Sequence, residues 1–285
     1  MQKLGFVGLG VMGAPMCRNL ARKSAREVLA HDVCVPGTSL AEVSAGAEII
    51  FLSLPGQAEV RAVGLELARL AWPGQAIVDC STAPVALARE LAQAFAARGA
   101  HFADAPVART RQAAIDGTLS IMVGADPALF RRLEPLLRCM ASDVTHCGPP
   151  GAGQAVKLLN NMILSVTVMA LAEALAAAKA SGAVEPRVLF ETLMKGSADS
   201  FALRNHGMKS LLPESHPENA FPVTYMLKDV DYALELAREA GLELQAAGTA
   251  RRLLSETAEL GLGNSYHTAI IEAVRRHVAQ RTVRD

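Results

Sequence analysis

The six residues GLGVMG at positions 8–13 constrain the fold more than any other stretch of this chain. They follow the strand-like run KLGFV and open a helical run, APMCRNLARK. Gly8 permits a tight turn, Gly10 lets the backbone approach a pyrophosphate, and Gly13 lets helix pack closely on strand. A pyrophosphate would rest on the helix N-terminus, where free N–H groups and the helix dipole favour negative charge. Residues Gly8, Leu9, Gly10, Val11, Met12 and Gly13 are therefore the candidate cofactor loop. A second strand ends at Asp32, nineteen residues after Gly13. An acid there accepts hydrogen bonds from both ribose hydroxyls and repels a 2′-phosphate, so NAD is expected ahead of NADP. A structural strand–turn–helix with a surface aspartate is the competing interpretation of these residues.

The rest of the first half repeats the alternation of short apolar strands with Ala-rich helical runs: EVLAHD, EIIFLSLP, QAIVDCS, VALARELAQAFAARG, HFADAPV and GTLSIMVG. This pattern predicts an α/β fold, a Rossmann-type doubly wound parallel sheet with helices on both faces. After about residue 150 the strand signal stops. Helices are expected near 152–180, 186–194, 223–240, 245–260 and 266–280, with Gly182, Gly196 and Gly241 as stops and Pro186 in a first turn. The expected division is a dinucleotide-binding domain over 1–152 and an all-α domain over 153–285 that begins with a long interdomain helix.

Only sixteen residues lie between Asp32 and Ile49. A crossover between parallel strands takes about a dozen residues, usually with a helix. TSLAEVSAGA can supply one crossover, but a further helix and an edge strand do not fit. The sheet is therefore expected to stop at its second strand, leaving the adenosine side open. Two more loops, SLPGQ and DCSTAP, follow apolar strands, at the carboxyl ends where such sheets bind ligands. Leu54 and Pro55 could pack on the cofactor and Thr82 could bond near the nicotinamide; taken singly, each also reads as an ordinary strand-to-helix turn.

GAGQAVKLLNNM, residues 151–162, heads a long apolar helical run. Lys157 and Asn161 are i and i+4 and share a helix face, while Asn160 points about 100° away from Asn161. Burial and a nearby positive ring would both lower the lysine pKa, toward the range where a general acid/base works best. A snorkelling lysine with two capping amides explains the pattern equally well. Met162 to Ala178 contains Ser165, Thr167 and Glu173, so it is read as a buried helix enclosed by others rather than a membrane span. The 28 basic and 28 acidic residues cancel, giving no case for nucleic acid or an anionic membrane. Five cysteines without a C-x-x-C pair point to a reducing compartment, with the cytoplasm expected.

GFVGLGVMGAPM, DAPV with GTLSIMVG, GAGQAVKLLNN and LKDVDYAL, in this order along nearly the whole chain, together resemble the β-hydroxyacid dehydrogenases. The resemblance implies hydride transfer between a nicotinamide and a 3-hydroxy acid or semialdehyde. It makes Lys157 the catalytic lysine and Asn161 its partner, with Asn160 beside the substrate. It places Thr82 on the nicotinamide and lets Lys228 close over cofactor and substrate, across a cleft shared by both halves. It also implies a homodimer or homotetramer. Where most of the family has Ser-Gly-Gly after DAPV, this chain has Ala108, Arg109 and Thr110. The Arg-Thr pair resembles the sulfolactaldehyde reductase branch, and a guanidinium fork suits a carboxylate, phosphate or sulfonate. The alternative is an exposed arginine with Thr110 capping the next helix.

Other chemistries lack their signatures. No G-x-x-x-x-G-K-[ST] or G-x-S-x-G occurs, and the seven histidines show no H-E-x-x-H, so no metal site is expected. Cys80 is read as a small buried side chain rather than a nucleophile. A non-catalytic NAD-binding module remains the alternative from outside enzymology. The expected ligands are NAD, or NADP, and a small anionic hydroxy acid or semialdehyde.

Overall fold

The computed structural model describes residues 3–218 and 220–282. The chain forms two compact units, one up to Leu158 and one from Leu159 on. In the first, strands β1 (Lys3–Val7), β2 (Val28–His31), β3 (Ala47–Leu52), β4 (Ala76–Asp79) and β5 (His101–Asp104) alternate with helices α1 (Gly13–Ser24), α2 (Leu40–Gly46), α3 (Gln57–Leu70) and α4 (Val85–Ala96). These strands pair in parallel in the order β2-β1-β3-β4-β5. Alternate residues of β3 serve opposite faces, as a period of two requires. Ile49 and Phe51 join one core with Met16 and Leu20 of α1. Ile50 and Leu52 join the other with Val43 of α2, Leu67 of α3 and Phe95 of α4.

Strand β2 is the sheet edge, as the short segment after Asp32 requires. The crossover is α2 alone. It is fixed by a reciprocal cap in which the Glu42 N–H donates to Ser39 Oγ at 3.2 Å and the Ser39 N–H to Glu42 Oε2 at 2.8 Å.

The far side of the sheet departs from the expected all-parallel arrangement. After β6 (Val107–Ala108) and α5 (Arg111–Asp116), strand β7 (Leu119–Gly124) returns antiparallel to β5 and β6. Residues 109–118 hold only the short α5, which makes a return rather than a full helical crossover. Helix α6 (Pro127–Leu137) then leads to β8 (Ala141–Gly148), parallel to β7. Strand β8 has no counterpart in the sequence reading. Its residues ASDVTHCG are largely polar, and only its first residue is fully buried.

Helix α7 (Ala152–Ser181) begins in the first unit and continues into the second. The second unit adds α8 (Pro186–Leu193), a π-helical stretch (Leu203–Leu211), α9 (Val223–Glu239), α10 (Gln245–Thr257) and α11 (Ile270–Thr282). Its core packs Val168, Ala172 and Leu175 of α7 against Phe190, Leu203, Met226, Val230, Leu253 and Ile271. By length and composition α7 could cross a membrane, but these residues are enclosed in a protein core. The enclosure within this chain is not complete: Leu159 and Ile163 are exposed. Gly182 and Gly241 take the left-handed conformation of helix stops at φ 63° and 72°. Gly196 does not, because α8 already closes at Met194 through right-handed backbone.

Candidate active site

The glycine turn has the geometry its residues demand. Gly8 sits at φ 92°, and a Cβ there would lie 2.2 Å from the Ser53 carbonyl oxygen. A Cβ on Gly13 would lie 2.0 Å from the Gly8 carbonyl oxygen, so only glycine lets α1 start this close to the strand. Gly10, by contrast, faces open space, with nothing within 4 Å of its Cβ position. Helix α1 starts after Met12 with no side-chain cap, and the Ala14 N–H donates back to the Gly10 carbonyl at 3.0 Å. Val11 is 61% exposed at this end. An uncapped helix start beside an unfilled glycine fits the pyrophosphate of a dinucleotide.

Asp32 lies one residue past β2, and its carboxylate reaches the turn. It accepts the Leu9 N–H at 2.6 Å and the Cys34 N–H at 2.8 Å. Those bonds, Leu9 first, hold its carboxyl below the usual range, so it is charged at neutral pH. The loops after β3 and β4 join each other: the Leu54 N–H, next to Pro55, donates to Ser81 Oγ at 2.9 Å, next to Thr82. Strands β1, β3 and β4 are parallel neighbours, so the three loops share one end of the sheet, where the strand order switches from one side of β1 to the other. Cys80 is 3% exposed and burial pushes its thiol well up, which leaves it inert.

Lys157 is 8% exposed, in the second turn of the lysine helix α7. The start of that helix is tied to the sheet by two side chains. Asp104, fully buried at the end of β5, accepts the Gly151 N–H at 2.6 Å and the Gln154 N–H at 2.7 Å. The Gln154 amide donates to the Ser81 carbonyl at 2.8 Å and accepts from the Ala83 N–H at 3.2 Å, spanning Thr82. Burial pushes Asp104 up to about 6 against these N–H groups. Burial likewise lifts its neighbour Asp79 to about 7.

One turn past the lysine, Asn161 donates to Asp229 Oδ2 on α9 at 2.6 Å and accepts from Asn160 at 3.0 Å. Both asparagines thus belong to one hydrogen-bonded chain ending on a buried carboxylate. Lys228 stands 3.6 Å from Asp229 Oδ1 and 5.2 Å from the Tyr225 ring centre. Asp104, Ser81, Gln154 and Asp229 went unassigned in the sequence reading, although three of them lie inside the quoted motifs DAPV, GAGQAVKLLNN and LKDVDYAL. The available signal was a lone polar residue in an otherwise apolar run, which when buried must find partners.

Arg109 is engaged within its own loop. Ala108 ends β6, and Arg109 takes a left-handed backbone at φ 85°. Its fork donates to the Thr118 carbonyl at 2.5 Å, Ser142 Oγ at 2.6 Å and Asp143 Oδ2 at 2.6 Å. Thr110 Oγ1 accepts the Ala113 N–H at 3.3 Å and caps α5. The helix-capping alternative is the arrangement found. A carboxylate, a hydroxyl and a carbonyl already match the fork geometry, so the guanidinium stabilises its own loop.

Comparison with known proteins agrees with this architecture. Residues 3–148 match the family described as the NAD binding domain of 6-phosphogluconate dehydrogenase. Residues 151–274 match that described as NAD-binding of NADP-dependent 3-hydroxyisobutyrate dehydrogenase. The 2-(hydroxymethyl)glutarate dehydrogenase of Eubacterium barkeri is 33% identical, covering 95% of this chain and 94% of its own. The 2-hydroxy-3-oxopropionate reductase of Escherichia coli K12 is also 33% identical, over 95% and 97% of the two chains. The structure of Mycobacterium tuberculosis 3-hydroxyisobutyrate dehydrogenase with L-serine superposes with a TM-score of 0.87 at 30% identity, over 96% of this chain and 99% of that one. With these sequence matches and this fold, the chain belongs to the β-hydroxyacid dehydrogenase family and is an NAD(P)-dependent hydroxyacid dehydrogenase.

Proposed function

We propose that the enzyme interconverts a small 3-hydroxy acid and its semialdehyde with NAD, using Lys157 as general acid/base. The observation that carries this reading is a buried lysine on a helix tied to the same sheet end as the glycine turn. When bound, NAD+ supplies the hydride acceptor at C4 of its nicotinamide. The neutral amine of Lys157, buried on α7, takes the proton from the substrate 3-hydroxyl as the carbon loses its hydride. In reverse, the Lys157 ammonium returns the proton to the aldehyde oxygen. Asn161, i+4 on the same helix, orients the amine or the hydroxyl, and its own bonds to Asp229 and Asn160 keep it in one rotamer. Thr82 lies on the loop assigned to the nicotinamide, while Leu54 and Pro55 line the neighbouring one.

The charged Asp32 beside Leu9 supports NAD over NADP, since a 2′-phosphate would meet a carboxylate. Ala108-Arg109-Thr110 in place of Ser-Gly-Gly argues for a substrate other than 3-hydroxyisobutyrate. The named relatives act on 2-(hydroxymethyl)glutarate and 2-hydroxy-3-oxopropionate, so short dicarboxylate-like or hydroxylated semialdehydes are the class to test. The test is NADH oxidation against tartronate, succinic and methylmalonate semialdehydes, glyoxylate and sulfolactaldehyde, with NADPH in parallel. Turnover with at least one aldehyde is expected, lost by orders of magnitude in Lys157→Ala while NADH still binds. Near-wild-type turnover in that variant would end the lysine assignment, and NADH binding without any turnover would favour a non-catalytic module.

A further inference from the structure

We propose that Gln154 and Asp104 are positioning residues that lock the rotation and register of the lysine helix against the Thr82 loop. The proposal rests on the reading of Lys157 as the acid/base. The first turn of any helix leaves N–H groups without partners. Here two of them, on Gly151 and Gln154, go to separate oxygens of one buried carboxylate. That fixes where the helix begins along its axis. A Cβ on Gly153 would lie 2.4 Å from the Met122 carbonyl, so this turn is seated directly on β7.

Rotation about the axis is fixed separately. The Gln154 amide uses both its ends, donating to the residue before Thr82 and accepting from the residue after it. Gln154 and Lys157 are i and i+3, neighbours on one face. A helix freed from the glutamine clamp could turn by about 20°, and a long side chain would then swing its amine by about 2 Å. Misplacement of about 1 Å at a reacting group can cost a hundredfold in rate. The clamp thus holds the amine and the nicotinamide loop as one rigid piece, so that binding the dinucleotide at the loop also places it before the lysine.

The test compares Gln154→Leu, Gln154→Glu, Lys157→Ala and the Gln154→Leu/Lys157→Ala double variant in the full-length enzyme. The assays are steady-state turnover with the fastest aldehyde of the panel, NADH binding by fluorescence, and the isotope effect with 4-deuterated NADH. Gln154→Leu should lower kcat per folded molecule by about 10- to 100-fold, with the NADH dissociation constant changed less than about threefold. The isotope effect on kcat should rise, because hydride transfer becomes slower. Adding Gln154→Leu to Lys157→Ala should cost little more, since one acts through the other. Gln154→Glu, which keeps the acceptor for Ala83 but not the donor for Ser81, should lie between wild type and Gln154→Leu. Amide exchange over 151–158 should speed up in Gln154→Leu, a readout that needs no substrate. Lysine-dependent turnover with a normal Gln154→Leu, fully additive losses, or unchanged exchange would overturn the positioning proposal alone. Turnover surviving in Lys157→Ala would remove the acid/base reading and this proposal with it.

Discussion

Acid should destabilise the helical unit while favouring the sheet unit, and the magnitude follows from two histidines in a cluster of three. His206, His216 and His267 are packed among Ser210, Tyr266 and Thr268. The His206 and His267 rings stand 4.9 Å apart. Burial pushes His267 down to about 3, helped by the charges of the other two, and His206 down to about 4, helped by Lys209. Burial also lowers His216, between Glu272 and Arg275. A histidine whose folded pKa is depressed contributes stability that is complete above its unfolded value of about 6.5 and is lost as pH falls through the window down to its folded value. At pH 5 each of His206 and His267 therefore removes about 2 kcal/mol (1.5 pH units at 1.36 kcal/mol each). Together they remove about 4 kcal/mol from a unit whose whole stability is of order 5–15 kcal/mol. That is a fall of about 10–15 °C in melting temperature between pH 7.5 and 5.

Asp79 and Asp104 carry the opposite sign. Burial raises their folded values to about 7 and 6, so they favour the folded sheet unit as pH falls through that range. The two responses can be read separately. The single tryptophan, Trp72, reports the sheet unit by fluorescence, and amide exchange reports the helices. Equal shifts in the two units between pH 7.5 and 5, helices that gain stability while the sheet unit loses it, or a helical response unchanged in His267→Gln would refute the reasoning.

Two further outcomes are expected. Asp32→Asn removes the carboxylate that a 2′-phosphate would meet, so the NADPH/NADH ratio of kcat/KM should rise about tenfold, measured by paired steady-state assays; an unchanged ratio would mean that Asp32 does not face the ribose. Arg109→Gly should melt higher than Arg109→Ala by the strain of about 1 kcal/mol that a Cβ carries in left-handed backbone, with KM for the acid substrate alike in both, measured by calorimetry and kinetics. A KM rise shared by both variants with equal melting temperatures would instead restore Arg109 as an anion clamp.

Much of the dinucleotide side was legible in the sequence because its constraints are local. GLGVMG must turn tightly, and sixteen residues after Asp32 cannot build a further strand, so β2 ends the sheet. The helices of the second unit announced themselves by periodicity and glycine stops, whereas Leu203–Leu211, a π-helical stretch, does not repeat at 3.6 residues and escaped. Strand β8 escaped because its polar residues show no buried alternation. What no local pattern carries is partner choice across the fold. Asp104 meets Gly151 forty-seven residues away, and Gln154 meets Ser81 seventy-three away. Arg109 was read from its chemistry alone. Asp143, thirty-four residues on, supplies the partner that turns its fork aside.

The most direct test is a crystal structure of the enzyme with NAD+ and the acid product of its best aldehyde. The account predicts the Lys157 amine about 3 Å from the substrate 3-hydroxyl, with the hydroxyl-bearing carbon facing C4 of the ring. A Lys157 side chain turned to solvent, with another group holding that hydroxyl, would contradict it.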